Sequence, residues 1–443
     1  MLFPPLIRTL FSTDMEDNSS KMIRLNSSRL DYISDLPRDV IYKILECLPL
    51  KDAARMCFLS HKWHDIWTSN PYLVFNHAFF ESVLKVEICK TDKLHSIVSK
   101  ILFQHEGPIL KFALYVPPVQ SCLDVTQWIS YLSRNNGLRD FSLCSTYRMP
   151  LWLSSRLFSC VDLEKLKLTS CVYFSPPPNF RGFPKLISLE LDGVKVNYST
   201  FENLIGSCPL LQNIVLKNYI GLEHKNFTID APNLRNLTLD WAFESVYLKS
   251  CDNLVSASIG MSKLVNVCDK ASLHGLLKVL TNSIKLERLC LRSHLCRIFF
   301  KEGNLGTFQN LRNLELVGLP LVFLDDFSST ISCVQSFPNI ETLVIYVQSS
   351  ANLAERLLDY NSDSTLHHLR YARVLFSVPS NTQMKFFEYL LACSPVLEKL
   401  VVHFYSSDKG TSTLNLLRLS TELNRFRRAS RRAEVICKGL GRE

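Results

Sequence analysis

Two histidines, His61 and His64, stand three residues apart, a spacing that places two imidazoles on one face of a helix. Such a pair holds a metal when a Cys, Asp or Glu completes the set. No carboxylate or thiol is placed to do that, so both read as surface or packing residues. His367-His368, just ahead of an apolar run, reads the same way. The 15 cysteines are scattered singly, with no C-x-x-C pair. That pattern points to reduced, buried thiols in a nuclear or cytoplasmic setting, not to a disulfide framework or a thioester-forming nucleophile. The chain has no G-x-S-x-G, G-x-x-x-x-G-K-[ST], H-E-x-x-H or G-x-G-x-x-G motif. The sequence therefore offers no catalytic residue, metal-ligand set or cofactor site. What remains is binding.

The elements that would do the binding begin at Asp31. Through Trp67 the chain reads DYISDLPRDVIYKILECLPLKDAARMCFLSHKWHDIW. Val40, Ile41, Ile44, Leu45 and Leu48 form one stripe of a short helix. Pro37 fits its first turn and Pro49 ends it. A second helix is expected to carry Ala53, Ala54 and Cys57. Ser60 is placed to cap a third, with Trp63 and Trp67 on one face. Fewer than about 40 residues cannot bury this much Leu, Ile and Trp unaided, so the unit must pack on something else.

Leu36-Pro37, the stripe that follows, Leu48-Pro49, Lys51-Asp52-Ala53 and Leu59-Ser60-His61-Lys62-Trp63 resemble an F-box. The resemblance implies docking on a Skp-type adaptor, and through it on the cullin and RING subunits of a ubiquitin ligase. The residues expected to make that contact are Leu36, Pro37, Val40, Ile41, Ile44, Leu48, Pro49, Leu59 and Trp63.

Beyond residue 107 one pattern, L-x-x-L-x-L, recurs to the end. Its first apolar residues are Ile109, Leu138, Leu163, Leu186, Leu211, Leu234, Leu254, Leu286, Leu311, Ile340, Leu369 and Leu397. Spacings of roughly 20 to 32 residues suit leucine-rich repeats, each laying one short strand with its leucines inward. Pro184, Pro209, Pro232, Pro338 and Pro395 precede strands and end the helices before them. Helices are expected over 125–132, 199–205, 273–280 and 384–392, with a long insertion over 260–283.

The stretch LRYARVLFSVPSNTQMKFFEYLLACSPVLEKLVVHF resembles the FBD domain that closes a large plant family of F-box/leucine-rich-repeat proteins. The expected architecture is therefore α/β: a short helical F-box followed by a leucine-rich-repeat solenoid with an FBD-type end. The expected divisions are a flexible leader over 1–28, the F-box over 29–70, a helical connector over 71–106, repeats over 107–365 and the FBD-like region over 366–443. Met15 is a second candidate start within the leader, whose acidic residues argue against an organelle-targeting signal. Ser377-Val378-Pro379 departs from the family's glycine-bearing turn.

The net charge is +9, and from Leu414 onward eight Lys/Arg face three Asp/Glu, so the basic excess concentrates in the tail. The tail fits a last helix from about Thr413 and a closing strand over 434–437. It also has the composition of a nuclear-import cluster, and Ser430 the setting of a basophilic kinase site. The body is only mildly basic, which argues against a nucleic-acid groove, and no apolar run reaches the roughly 18 residues of a membrane span. The outward strand residues mix both signs and sizes, as suits a target protein. They include Lys165, Lys167, Glu190, Asp192, Lys217, Asp240, Arg288, Arg292, Glu315 and Tyr346. Two readings stand: a non-catalytic subunit that holds a target for ubiquitylation, or an adaptor-binding scaffold or decoy that acts without it.

Overall fold

The structure is a computed structural model. It describes residues 32–84, 91–117, 125–134, 137–145, 151–170, 172–173, 175–196, 198–218, 226–240, 245–261, 276, 278–293, 307–319, 334, 336–347, 365–376, 381–405 and 409–440. The leader, most of the 260–283 insertion and the turn at 377–379 lie outside them. Two compact units divide the chain close to Leu211.

The first unit opens with three short helices: α1 (Arg38–Glu46), α2 (Leu50–Arg55) and α3 (His61–Thr68). Each start is set by a residue that cannot be mid-helix. Pro37 and Pro49 stand at extended N-cap angles, and their carbonyls accept the first N–H groups of α1 and α2. Ser60 caps α3, its hydroxyl accepting from the Trp63 N–H at 3.3 Å. α1 stops at Glu46, three residues before Pro49. Cys57 sits in a single 3-10 turn, Met56–Phe58, rather than in α2.

The expected connector is not purely helical. It begins with strand β1 (Tyr72–Phe75), which pairs in parallel with β2 (Lys111–Val116), and only then continues as α4 (His77–Leu84) and α5 (Thr91–Phe103). The sheet thus starts at Tyr72, some 35 residues before the first L-x-x-L-x-L triplet. A strand of four residues flanked by helix-like apolar runs leaves too weak an alternation to be read. β1 then lies beside α1 and α2. The buried Asn70 side chain both donates to the Tyr72 carbonyl and accepts from the Tyr72 N–H, each at 3.2 Å. His105 Nε2 donates to the Asn70 carbonyl at 2.8 Å. Across the same junction Glu46 pairs with Lys111 at 3.0 Å and Tyr42 meets Ser69 at 2.9 Å.

From β2 the unit continues through α6 (Thr126–Arg134), β3 (Asp140–Ser145), a two-residue β4 (Leu151–Trp152), β5 (Lys165–Thr169), β6 (Val172–Tyr173), β7 (Ser188–Asp192) and α7 (Tyr198–Gly206). β1, β2, β3, β5 and β7 are parallel neighbours, while β4 pairs with β6 alone. The second unit holds β8 (Asn213–Lys217), β9 (Asn226–Asp230), β10 (Asn236–Asp240), β11 (Ser245–Lys249) and β12 (Ser256–Met261). It goes on through β13 (Arg288–Ser293), β14 (Asn313–Leu319), β15 (Thr342–Val347) and β16 (Tyr371–Phe376). α8 (Asn381–Cys393), β17 (Lys399–Tyr405), α9 (Lys409–Arg425) and β18 (Glu434–Leu440) close it. Here β8, β10 and β12 to β18 run parallel in that order, with β9 and β11 paired apart. The FBD-like region is thus a continuation of the same ladder.

All twelve triplet starts are buried, and the inward residues of successive strands face each other in register, as Leu237 faces Ile214 and Ala257. Before most of the strands a tight turn folds the triplet's first N–H onto the carbonyl three residues earlier, as in Leu163 on Cys160, Leu211 on Cys208 and Leu254 on Cys251. The earlier position in these turns is a Cys, Ala, Phe, Leu or Ser, buried except at the half-buried Ser283; Phe308 and Phe337, each three residues ahead of a triplet start, meet with centroids 5.0 Å apart. Several strands leave through a left-handed residue, Ser170, Gly193 or Asn218. Gly182 (φ 86°) is required for space as well, since a Cβ there would collide with the Ser207 carbonyl.

Two outcomes are expected from this packing. Leu237→Ala should cost about 2–5 kcal/mol through lost burial and a cavity, and its half-exposed neighbour Thr238→Ala about 0.5 kcal/mol or less, measured by denaturant unfolding. At the junction, burial holds His105 below its ordinary value of 6.5 against the hydrogen bond to Asn70. A histidine depressed in the folded state stabilises above its unfolded pKa and loses that contribution as pH falls below it. Melting temperature should therefore drop between pH 7 and 5, and His105→Gln, which keeps a donor but cannot titrate, should flatten that drop.

Candidate functional site

The F-box stripe splits into two faces. Ile41 and Leu45 turn inward, at 0% and 2% exposure, with Ala53, Ala54, Trp63, Ile66 and Trp67. Val40, Ile44 and Leu48 turn outward on α1 and the turn after it, at 37%, 40% and 37% exposure. Pro37 and Pro49 are exposed and Leu36 is half-buried. Leu59, between the 3-10 turn and α3, is 63% exposed. Large apolar side chains left in solvent this close together mark an interaction surface.

Two of the expected contact residues do not belong to that surface. Ile41 and Trp63 are core residues, and Trp63 Nε1 donates to the buried Ser34 hydroxyl at 2.8 Å. A helical stripe at i, i+1, i+4, i+5 spans more than one side of a helix, so spacing alone did not tell inward Ile41 from outward Ile44. Conversely, Tyr32 and Ile33 are exposed just ahead of Leu36, and Phe58 just ahead of Leu59. Their position beside Leu-Pro and beside Leu-Ser was the only available signal. Lys62 anchors the Tyr32–Leu36 turn by donating to the Ser34 carbonyl, and pairs with Asp35 at 3.8 Å.

The ten residues expected on the repeat face all occupy outward positions of the parallel ladder. In the first unit Lys165 and Lys167 on β5 stand in register with Ser188 and Glu190 on β7, and Thr169 with Asp192. Lys167 and Glu190 form an ion pair at 2.8 Å, which holds the lysine above its ordinary value. In the second unit Lys217 faces Asp240, Arg288 faces Asn313, and Tyr346 faces Val317. Asp240 and Arg292 flank Gly260, where an added Cβ would lie 2.7 Å from the Asp240 carboxylate. The same outward rows continue past Tyr346 through Arg373, His403 and Lys438, which the sequence reading passed over because it treated 366–443 as a separate domain.

No group of three or more His, Cys, Asp and Glu gathers among the described residues, nor is any described helix long and apolar enough to cross a membrane. His64 lies 3.6 Å from its neighbour Asp65. Burial pushes the thiols of Cys57, Cys160, Cys208 and Cys251 up to about 11, which keeps them protonated and poorly nucleophilic. Ser430 is buried, donates to the Leu397 carbonyl at 2.6 Å and is closed to a kinase. The tail forms α9 and β18, as the structural reading of it expected.

An outward apolar helix face ahead of a parallel ladder of leucine-rich strands defines an F-box protein with a leucine-rich-repeat array. The family models agree: an F-box domain matches residues 33–75, and "FBD-associated F-box protein At5g56370, LRR repeats" matches 125–345. The F-box/FBD/LRR-repeat protein At1g13570 of Arabidopsis thaliana is 31% identical over 424 residues, covering 92% of this chain and 98% of the relative. The F-box/FBD/LRR-repeat protein At1g78750, also of Arabidopsis thaliana, is 25% identical over 478 residues, covering 95% and 100%. This chain belongs to the F-box/FBD/LRR-repeat family.

The two faces of α1 predict opposite responses. Ile41→Ala should destabilise the protein by about 2–5 kcal/mol, whereas Ile44→Ala should change stability by about 0.5 kcal/mol or less. Thermal or urea unfolding of the two variants checks the assignment.

Proposed function

We propose that this protein is the target-recognition subunit of a Skp–cullin–F-box ubiquitin ligase and is not itself a catalyst. The observation that carries the reading is the outward strip of Pro37, Val40, Ile44, Leu48, Pro49 and Leu59, whose side chains stand outside the buried core of the three helices. Its chemistry fits the apolar groove of a Skp-type adaptor, which links the chain to the cullin and RING subunits. The outward rows of the repeat strands take the target protein, and ubiquitin transfer is performed by the partners. The protonated thiols and the unpaired cysteines among the described residues suit the nucleus or cytoplasm, where thiols stay reduced.

The test is adaptor binding by the full chain. Ile44→Ala with Leu48→Ala removes roughly half the burial worth of two large aliphatic side chains, about 2–3 kcal/mol in all. At about 1.4 kcal/mol per decade that is a thirty- to hundred-fold loss of affinity. Melting temperature should be unchanged. Tight adaptor binding by the double variant would overturn the reading. Adaptor binding without co-purifying cullin would instead establish the scaffold or decoy role.

A further inference from the structure

The last three strands of the second unit carry two outward cations, Arg373 and Lys438, that make no ion pair among the described residues. Arg373 on β16 is half-buried, Lys438 on β18 is exposed, and His403 lies between them on β17. His403 stands in register with Leu375 on one side and Lys438 on the other, while Arg373 faces Val401. Leu375, Val401 and His403 are buried, so the two cationic heads stand over an apolar floor.

Among the described residues, three features show that these two cations lack a partner. The Arg373 Nε and His403 Nδ1 atoms are buried without a hydrogen-bond partner. The ion pair present on these strands, Lys399 with Glu434 at 4.0 Å, lies at their opening row and uses neither Arg373 nor Lys438. Burial together with the charges of Arg373 and Lys438 holds His403 below its ordinary value, and no carboxylate acts against them there. Among the described residues the acids on the neighbouring outward rows are Glu434, four residues before Lys438 on β18 and paired with Lys399, and Glu315, two strands from Arg373. Buried donors left unpaired are costly, and a carboxylate arriving over a low-dielectric floor meets them strongly.

We propose that this end of the repeat face recognises an acidic segment of the target protein, with an Asp or Glu carboxylate bridging Arg373 and Lys438 and an adjoining apolar side chain against the floor near Tyr346 and Leu375. The proposal rests on the reading of the repeat face as the target site. It gives that site a chemistry: acidic and apolar residues side by side in an extended segment. Strands about 4.8 Å apart put the two cations within reach of one such segment.

The test is selection of peptides from a random twelve-residue display library by the full chain bound to its adaptor. Selected peptides should be enriched in Asp or Glu beside an aliphatic or aromatic residue. A representative peptide should lose at least ten-fold in affinity on Arg373→Glu, and likewise on Lys438→Glu, whose exposed position leaves folding intact. Selection on the reversed variants should shift toward Lys and Arg. A basic, purely apolar or absent consensus on the wild type, or an acidic one unchanged on Lys438→Glu, overturns the proposal. Adaptor binding measured on the same samples keeps the outcomes apart: its loss refutes the F-box reading, whereas its persistence without acidic selection refutes this inference alone.

Discussion

Within each unit, a single backbone carbonyl at the mouth of most strands serves two N–H groups of the next. Pro71 accepts from Leu110 and Lys111, Arg139 from Glu164 and Lys165, Gln212 from Arg235 and Asn236, Glu341 from Arg370 and Tyr371. Where it occurs, this shared acceptor fixes where a strand begins relative to its predecessor, and the packing of the repeats follows. With the starts locked, the inward residues of one strand meet those of the next, and no repeat can slide by one residue without turning its leucines outward. The side chains flanking these carbonyls alternate in sign in places, as in Arg139 with Glu164 and Arg312 with Glu341. Such exposed pairs add little stability. They do favour the same register that the backbone imposes.

What the sequence revealed is what recurs. Twelve triplets with buried first residues could be located because the same burial demand repeats with the same spacing, and each instance supports the others. The helix starts at Ser60 and before Arg38 were legible because a cap and a proline have local causes. Features that occur once were harder. β1 is short and set among apolar helices, so nothing in its own composition distinguished it. The inward and outward members of the F-box stripe have the same side-chain chemistry, and only the packing of α2 and α3 decides between Ile41 and Ile44. Ser430 looked accessible because it lies among arginines, yet its hydroxyl is spent on Leu397, 33 residues away.

The candidate sites share a logic of separation. In the F-box, the core is formed by Ile41, Leu45, Trp63 and Trp67, and Val40, Ile44 and Leu48 are left on the outward side. Along the repeats the alternation of a strand does the same work, one row for the core and the next for contact. Exposed outward positions can therefore vary in charge and size at little folding cost, unlike Gly260, where an added Cβ would crowd Asp240.

The Asn70 carboxamide occupies both backbone groups of Tyr72, much as a neighbouring strand would. β1 is the outermost strand of the ladder, and an outermost strand with open N–H and C=O groups is a template on which a second molecule can polymerise. Asn70 and the helices beside it blunt that template. The F-box is thus also the end-cap of the array, and a shortened product lacking it would expose a sticky edge. Changing the outward face of the F-box while leaving the cap in place avoids that exposure.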